Sequence, residues 1–118
     1  MMNRDKRDKH FEYDKEIDSL TIYHKNFSEN QNIAGSLNYG DFIFDIASDG
    51  SFVSLEIDNA SKVFNISPKE LDNIRNAGIK TVVKGNAIFL VYAISLDKKE
   101  IENALMIPKD KIMLAQTI

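Results

Sequence analysis

From Gly40 to Ser61 the chain alternates apolar and polar side chains on both sides of an Asp49-Gly50 dipeptide, and few folds accept such a pattern. A period of two places successive side chains on opposite faces of a strand, and Asp-Gly tolerates the positive φ angles of a two-residue hairpin turn. The resulting pairing sets Ala47 opposite Phe52, Ile46 opposite Val53, Asp45 opposite Ser54, Phe44 opposite Leu55, Ile43 opposite Glu56, Phe42 opposite Ile57 and Asp41 opposite Asp58. Phe42, Phe44, Ile46, Val53, Leu55 and Ile57 then share one face. Asp41, Asp45, Ser54, Glu56 and Asp58 share the other with Ile43, Ala47 and Phe52. A slip of one residue would set Phe44 against Ser54 and Phe42 against Glu56, so the pattern selects its own register.

The flanking segments extend this hairpin into a β-rich chain. His10–Lys25 reads as a first hairpin turning over Asp14–Asp18, and Ile33 and Leu37 flank Gly35 in a weak strand ending at Asn38-Tyr39-Gly40, where Gly35 marks either a bulge or a close backbone approach. Asn59–Phe64 leaves the sheet as a short helical turn. Ser67-Pro68-Lys69-Glu70 is a capping box with proline at the first helical position. Ile66 and Leu71 have the spacing of a hydrophobic staple, Leu71, Ile74 and Ala77 form a stripe, and Gly78 is a stop signal, so a helix is expected over 68–77.

Beyond it, Gly85-Asn86 closes a hairpin between Ile79–Lys84 and Ala87–Leu96, with Val83 opposite Ile88 and Ile79 opposite Tyr92. A second turn at Asp97–Glu100 would set Tyr92 opposite Leu105 and Leu90 opposite Ile107. Residues 99–107 read as a strand, with a short helix over the same residues as the alternative. Phe89, Val91, Ala93 and Met106 lie on the reverse face of this meander, so the strand 87–96 is expected to be partly buried on both sides.

Composition narrows the functional classes. A chain of 118 residues fits one domain with a substantial core. Residues 1–9 read as a mobile arm and 10–118 as the domain, with a seam near Asn65–Ser67. The net charge of −3 argues against a general nucleic-acid binder. The absence of cysteine removes disulfides, thiolate metal sites and cysteine nucleophiles. The longest apolar run, Ala87–Leu96, is about half of the ~20 residues a membrane-spanning helix needs. No leader-type stretch follows the charged N-terminus, and a cytoplasmic location is expected.

Tyr13-Asp14-x-Glu16-x-Asp18-x-Leu20-x-Ile22, followed by Gly40-Asp41-x-Ile43-x-Asp45, Asp49-Gly50, Val53-x-Leu55-Glu56-Ile57 and Ala60-Ser61, resembles a widespread prokaryotic family. It is known as domain of unknown function 2283, and the resemblance covers residues 13–64. The second half looks like that of longer archaeal members. The family carries no established activity, so the resemblance implies no catalytic residue and no cofactor. Some relatives are regarded as candidate antitoxins, which implies a small basic toxin as partner.

The residues themselves offer one chemical constellation. Asp45 and Glu56 stand diagonally on the hairpin's polar face, where neighbours are ~7–8 Å apart at the backbone, and Asp41 faces Asp58. Paired carboxylates can hold a hard cation or act as acid and base, with His24 a further candidate ligand. The spacing departs from that of a calcium loop, and a solvated sheet face accounts for the same residues. Asp14, Glu16 and Asp18 form a second acidic group, of the kind that bonds turn amides. No Gly-x-Ser-x-Gly or glycine-rich phosphate loop occurs.

The expectation is therefore an α+β, β-dominated domain of about eight antiparallel strands in two units. Its expected role is non-enzymatic, as a protein-interaction module forming a homodimer. Two alternatives stand beside it: an antitoxin-like partner docking through Asp45 and Glu56, and a metal binder or metal-dependent enzyme using Asp41, Asp45, Glu56, Asp58 and His24.

Overall fold

The computed structural model describes residues 10–24 and 33–110. The expected arm at 1–9, the loop around Asn26–Asn30 and the apolar tail Lys111–Ile118 lie outside the described residues. The architecture is α+β and β-dominated, and the described residues include eight strands and, between the fifth and sixth of them, two short helices. The strands are β1 (Phe11–Asp14), β2 (Ser19–Tyr23), β3 (Ile33–Tyr39), β4 (Phe42–Ala47), β5 (Phe52–Asp58), β6 (Asn76–Lys84), β7 (Ala87–Ser95) and β8 (Glu100–Pro108). The helices, α1 (Ala60–Phe64) and α2 (Pro68–Leu71), join β5 to β6.

Strands β1 to β5 form one antiparallel sheet in the order β1-β2-β5-β4-β3, and β6-β7-β8 form a second. The β4–β5 hairpin is central to the larger sheet. Phe42↔Ile57, Phe44↔Leu55 and Asp45↔Ser54 pair as the alternation requires, but a bulge then sets Ile46 opposite Phe52. Val53 is the extra residue, and Phe52 joins the core face in its place. The Phe44 and Phe52 rings accordingly meet edge to face, 5.5 Å between centroids.

The turn explains the shift. Gly50 N–H donates to the Ala47 carbonyl and Ala47 N–H to that of Ser51, both at 2.9 Å, so the connection spans three residues rather than two. Gly50 alone in it has a positive φ, +90°. A bulge beside such a loop restores the ladder.

The expected helix over 68–77 is shorter, four residues long. Its capping box is present, with Glu70 N–H donating to Ser67 Oγ at 3.1 Å and Ser67 N–H to Glu70 Oε1 at 3.2 Å. Ala77 and Gly78 instead belong to β6, where Ala77 pairs with Ile94 and Gly78 with Ala93. Nine ladder pairs with β7 outweigh one more helical turn through Asp72 and Asn73, both weak helix formers.

The expected strand over 99–107 is present as β8, Glu100–Pro108. Tyr92 faces Asn103 and Leu90 faces Leu105, two residues away from the expected register. Leu96 N–H donates to the Lys99 carbonyl at 2.8 Å, closing a tighter turn than anticipated.

The two sheets share one buried cluster. Leu20, Ile22, Phe44, Leu55 and Ile57 from the larger sheet join Leu90, Tyr92, Ile94 and Ile107 from the smaller. Phe42 and Tyr92 bridge them at 5.5 Å, and Phe64 of α1 closes on Tyr92 at 6.0 Å. The staple residues Ile66 and Leu71 are both buried in this cluster. Exposure rises along the inward side of β6, from buried Ala77 through half-buried Ile79 to Val83 at 58%. The far end of the β6–β7 hairpin therefore projects past the core.

Candidate functional site

The register that buries Phe42, Phe44, Leu55 and Ile57 turns Asp45, Glu56 and Asp58 to the other side of the larger sheet. The aspartates, with Asp41 beside them, find neutral donors. Ser36 Oγ donates to Asp45 Oδ1 at 2.5 Å and Ser54 Oγ to Asp45 Oδ2 at 3.4 Å. Asn59 Nδ2 donates to Asp41 at 3.0 Å, and Ser19 Oγ to Asp58 at 3.3 Å. These donors temper the repulsion expected between Asp41 and Asp58.

Glu56 is set among carboxylates instead. Its hydrogen bond with Asp58, its partial burial and the charges of Asp58 and Asp45 push its carboxyl above the ordinary glutamate value of 4.5. Burial, with Glu12, Glu56 and Asp45 nearby, likewise raises the Tyr23 phenol.

His24 sits at the end of β2, its backbone N–H donating to the Val53 carbonyl at 2.9 Å. Among the described residues no group of three or more His, Cys, Asp or Glu is placed to hold a metal ion. Asp45, Glu56 and Asp58 thus lie on strands of the larger sheet, with Asp41 in the turn before β4 and His24 just past β2, without converging as a ligand set.

The turn acids do the local work expected of them. Asp14 Oδ1 accepts from Glu16 N–H at 3.0 Å. Asp18 does more. It accepts from the Tyr13 hydroxyl at 2.6 Å, from Ser61 Oγ at 2.7 Å and from Ser61 N–H at 3.1 Å. Its own carbonyl accepts from Ala60 N–H at 3.0 Å.

Asn59, the residue before α1, has φ +54° and makes no side-chain cap, so the helix start is capped from the first hairpin by Asp18. Burial works to raise the Asp18 pKa, but the bonds from Tyr13 and Ser61 and the nearby Lys62 charge hold it below its ordinary value. Burial and the bond to Asp18 raise the Tyr13 phenol. No spacing rule links positions 13, 18 and 61, although all three fall in the sequence pattern above.

The outward face of the β6–β7–β8 sheet is built differently. Its rows read Gly78–Ala93–Glu102, Lys80–Val91–Ala104 and Val82–Phe89–Met106. Met106 is 60% exposed and Val82 37%. A trough of about 300 Å³ crosses the face over Gly78 and Ala93, with Lys80 and Glu102 among its walls. A second cleft, of about 620 Å³, lies between α2 and the β7–β8 turn, where Arg75 and Asp97 pair at 2.9 Å. No described helix is long and apolar enough to cross a membrane.

Against known proteins, a family model described as "Protein of unknown function (DUF2283)" matches residues 10–61. That span holds β1 to β5, the acidic face and the Tyr13–Asp18–Ser61 clasp, and it ends at the helix start that the clasp caps. A protein of Methanosarcina mazei, provisionally named a hypoxanthine phosphoribosyltransferase, is 29% identical over 89 residues, which cover 75% of this chain and 69% of that protein. No solved structure gives a significant match.

Proposed function

We propose that this chain is a non-enzymatic protein-interaction module that assembles as a homodimer. One observation carries the reading: the Val82–Phe89–Met106 row stands outward on a sheet whose other face is already committed to the core. An apolar row of this kind, flanked by charge, is a common signature of a docking surface. Light scattering over a range of concentrations tests it. A mass above the 13.4 kDa of one chain supports the dimer, and a monomer throughout contradicts it.

An antitoxin-like role is the second reading, favoured by the acidic face. No ion pair among the described residues neutralises Asp45 or Glu56, and beside the Asp58 hydrogen bond and burial, the negative field of Asp58 and Asp45 contributes to raising the Glu56 pKa. A basic partner would relieve that field. Reversing charge at Asp45 and Glu56 should then weaken capture of such a partner, and unchanged capture would end this reading.

The Methanosarcina relative's name asks for a site that binds phosphate. Phosphate sites of the familiar kind use a glycine-rich loop leading into a helix. The two described helices are five and four residues long and follow Asn59 and Ser67, so that activity is not carried over to this chain.

A further inference from the structure

Charge on the outward face of the smaller sheet is separated by strand. The charged residues that β6 places on it are both cations, Lys80 and Lys84; those of β8 are both carboxylates, Glu100 and Glu102; and β7 between them presents Ser95, Ala93, Val91, Phe89 and Ala87, all uncharged. Lys80 and Glu102 flank the same trough, yet no ion pair joins them. A face with a basic edge, an apolar centre and an acidic edge is complementary to itself when one copy is turned over along the strand direction.

We infer that the surface docks a second copy of this chain about a two-fold axis parallel to β7, an arrangement that rests on the homodimer reading above. That axis lays β6 of one copy over β8 of the other. Met106 then meets Val82 of the second copy and Phe89 meets Phe89. Lys80 arrives one step along the strand from Glu102 of the second copy, with its aliphatic stem over the trough. A two-fold axis perpendicular to the strands would instead set β6 on β6 and bring Lys80 against Lys80. Two sheets stacked in the first way adopt the aligned packing of a β-sandwich.

Three strands of nine residues offer a footprint of roughly 430 Å², from ordinary strand spacing and rise, against the ~800 Å² per partner of a standard interface. The dimer is accordingly concentration-dependent rather than permanent.

The experiment is a charge swap between separate chains. Lys80→Glu and Glu102→Lys are each expected to weaken self-association roughly tenfold, since each places like charges together at two symmetry-related points. Mixing the two variants is expected to restore association, because in the mixed dimer both points regain opposite charges. Both positions border solvent, and unchanged melting temperatures confirm that folding is intact. A wild-type dimer that ignores both substitutions, or single variants that the mixture fails to rescue, overturns this arrangement while leaving the homodimer standing. A monomeric wild type at every concentration overturns the homodimer reading and this arrangement with it.

Discussion

The Tyr13 hydroxyl and the Asp18 carboxylate lie 2.6 Å apart, and the same carboxylate reaches Ser61 in the first turn of α1, 43 positions along the chain. The turn of the first hairpin thereby holds the start of the helix that leaves β5. A short helix has few bonds of its own, so a cap from outside matters more to it than to a long one.

Removing the clasp has a graded cost. Tyr13→Phe deletes one charge-assisted bond and is expected to cost about 1.5–3 kcal/mol. Asp18→Ala leaves the Ser61 and Tyr13 donors without their acceptor and should cost more. Urea denaturation of both variants and the double mutant checks this. The double mutant should be less destabilised than the sum, because the two changes delete a shared interaction.

Acidity acts in opposite directions on Asp18 and Glu56. The Asp18 pKa is depressed, so its contribution is present above the ordinary 3.8 and is lost as pH falls through the folded value. The Glu56 pKa is raised, so its contribution is complete below the ordinary 4.5 and is lost as pH rises through the folded value. Glu56→Gln is therefore expected to stabilise the fold at pH 7 by about 0.5–1 kcal/mol, since a neutral amide relieves the repulsion from Asp45 and Asp58. Melting curves should show that gain shrinking toward zero below pH 4.5.

The β4–β5 turn makes a separate prediction. Gly50 holds φ at +90°, which side chains with a Cβ rarely adopt. Gly50→Ala should cost about 1–2 kcal/mol and Gly50→Asn less, because asparagine tolerates the left-handed region. Chemical denaturation of the two variants reads the difference.

These elements also show where the sequence was legible. Pairs such as Phe44–Leu55 could be read because a one-residue slip there opposes an apolar side chain to a polar one. The bulge could not, since Phe52 and Val53 are both apolar and either could take the inward place. A two-residue shift between β7 and β8 leaves every side chain on its own face, so alternation was silent about it and the tight turn closed by Leu96 and Lys99 set the register. Ala77 satisfied a helical stripe and a strand equally well, and only the distant β7 decided between them.

The acidic residues were placed on their face correctly. The clasp among Tyr13, Asp18 and Ser61 was hidden because the fold, and no local spacing, brings those positions together. The outward Lys80–Glu102 trough depends on sheet register in the same way.

The docking claim is tested most directly by sedimentation velocity on the wild-type chain and on Met106→Glu, run side by side over a wide concentration range. Met106 is 60% exposed, so the substitution should leave the melting temperature within a few degrees of wild type. The wild-type chain should shift toward a dimer as concentration rises, and Met106→Glu should remain a monomer. Identical behaviour of the two chains, whether both dimeric or both monomeric, would contradict a dimer built on the outward face of the β6–β7–β8 sheet.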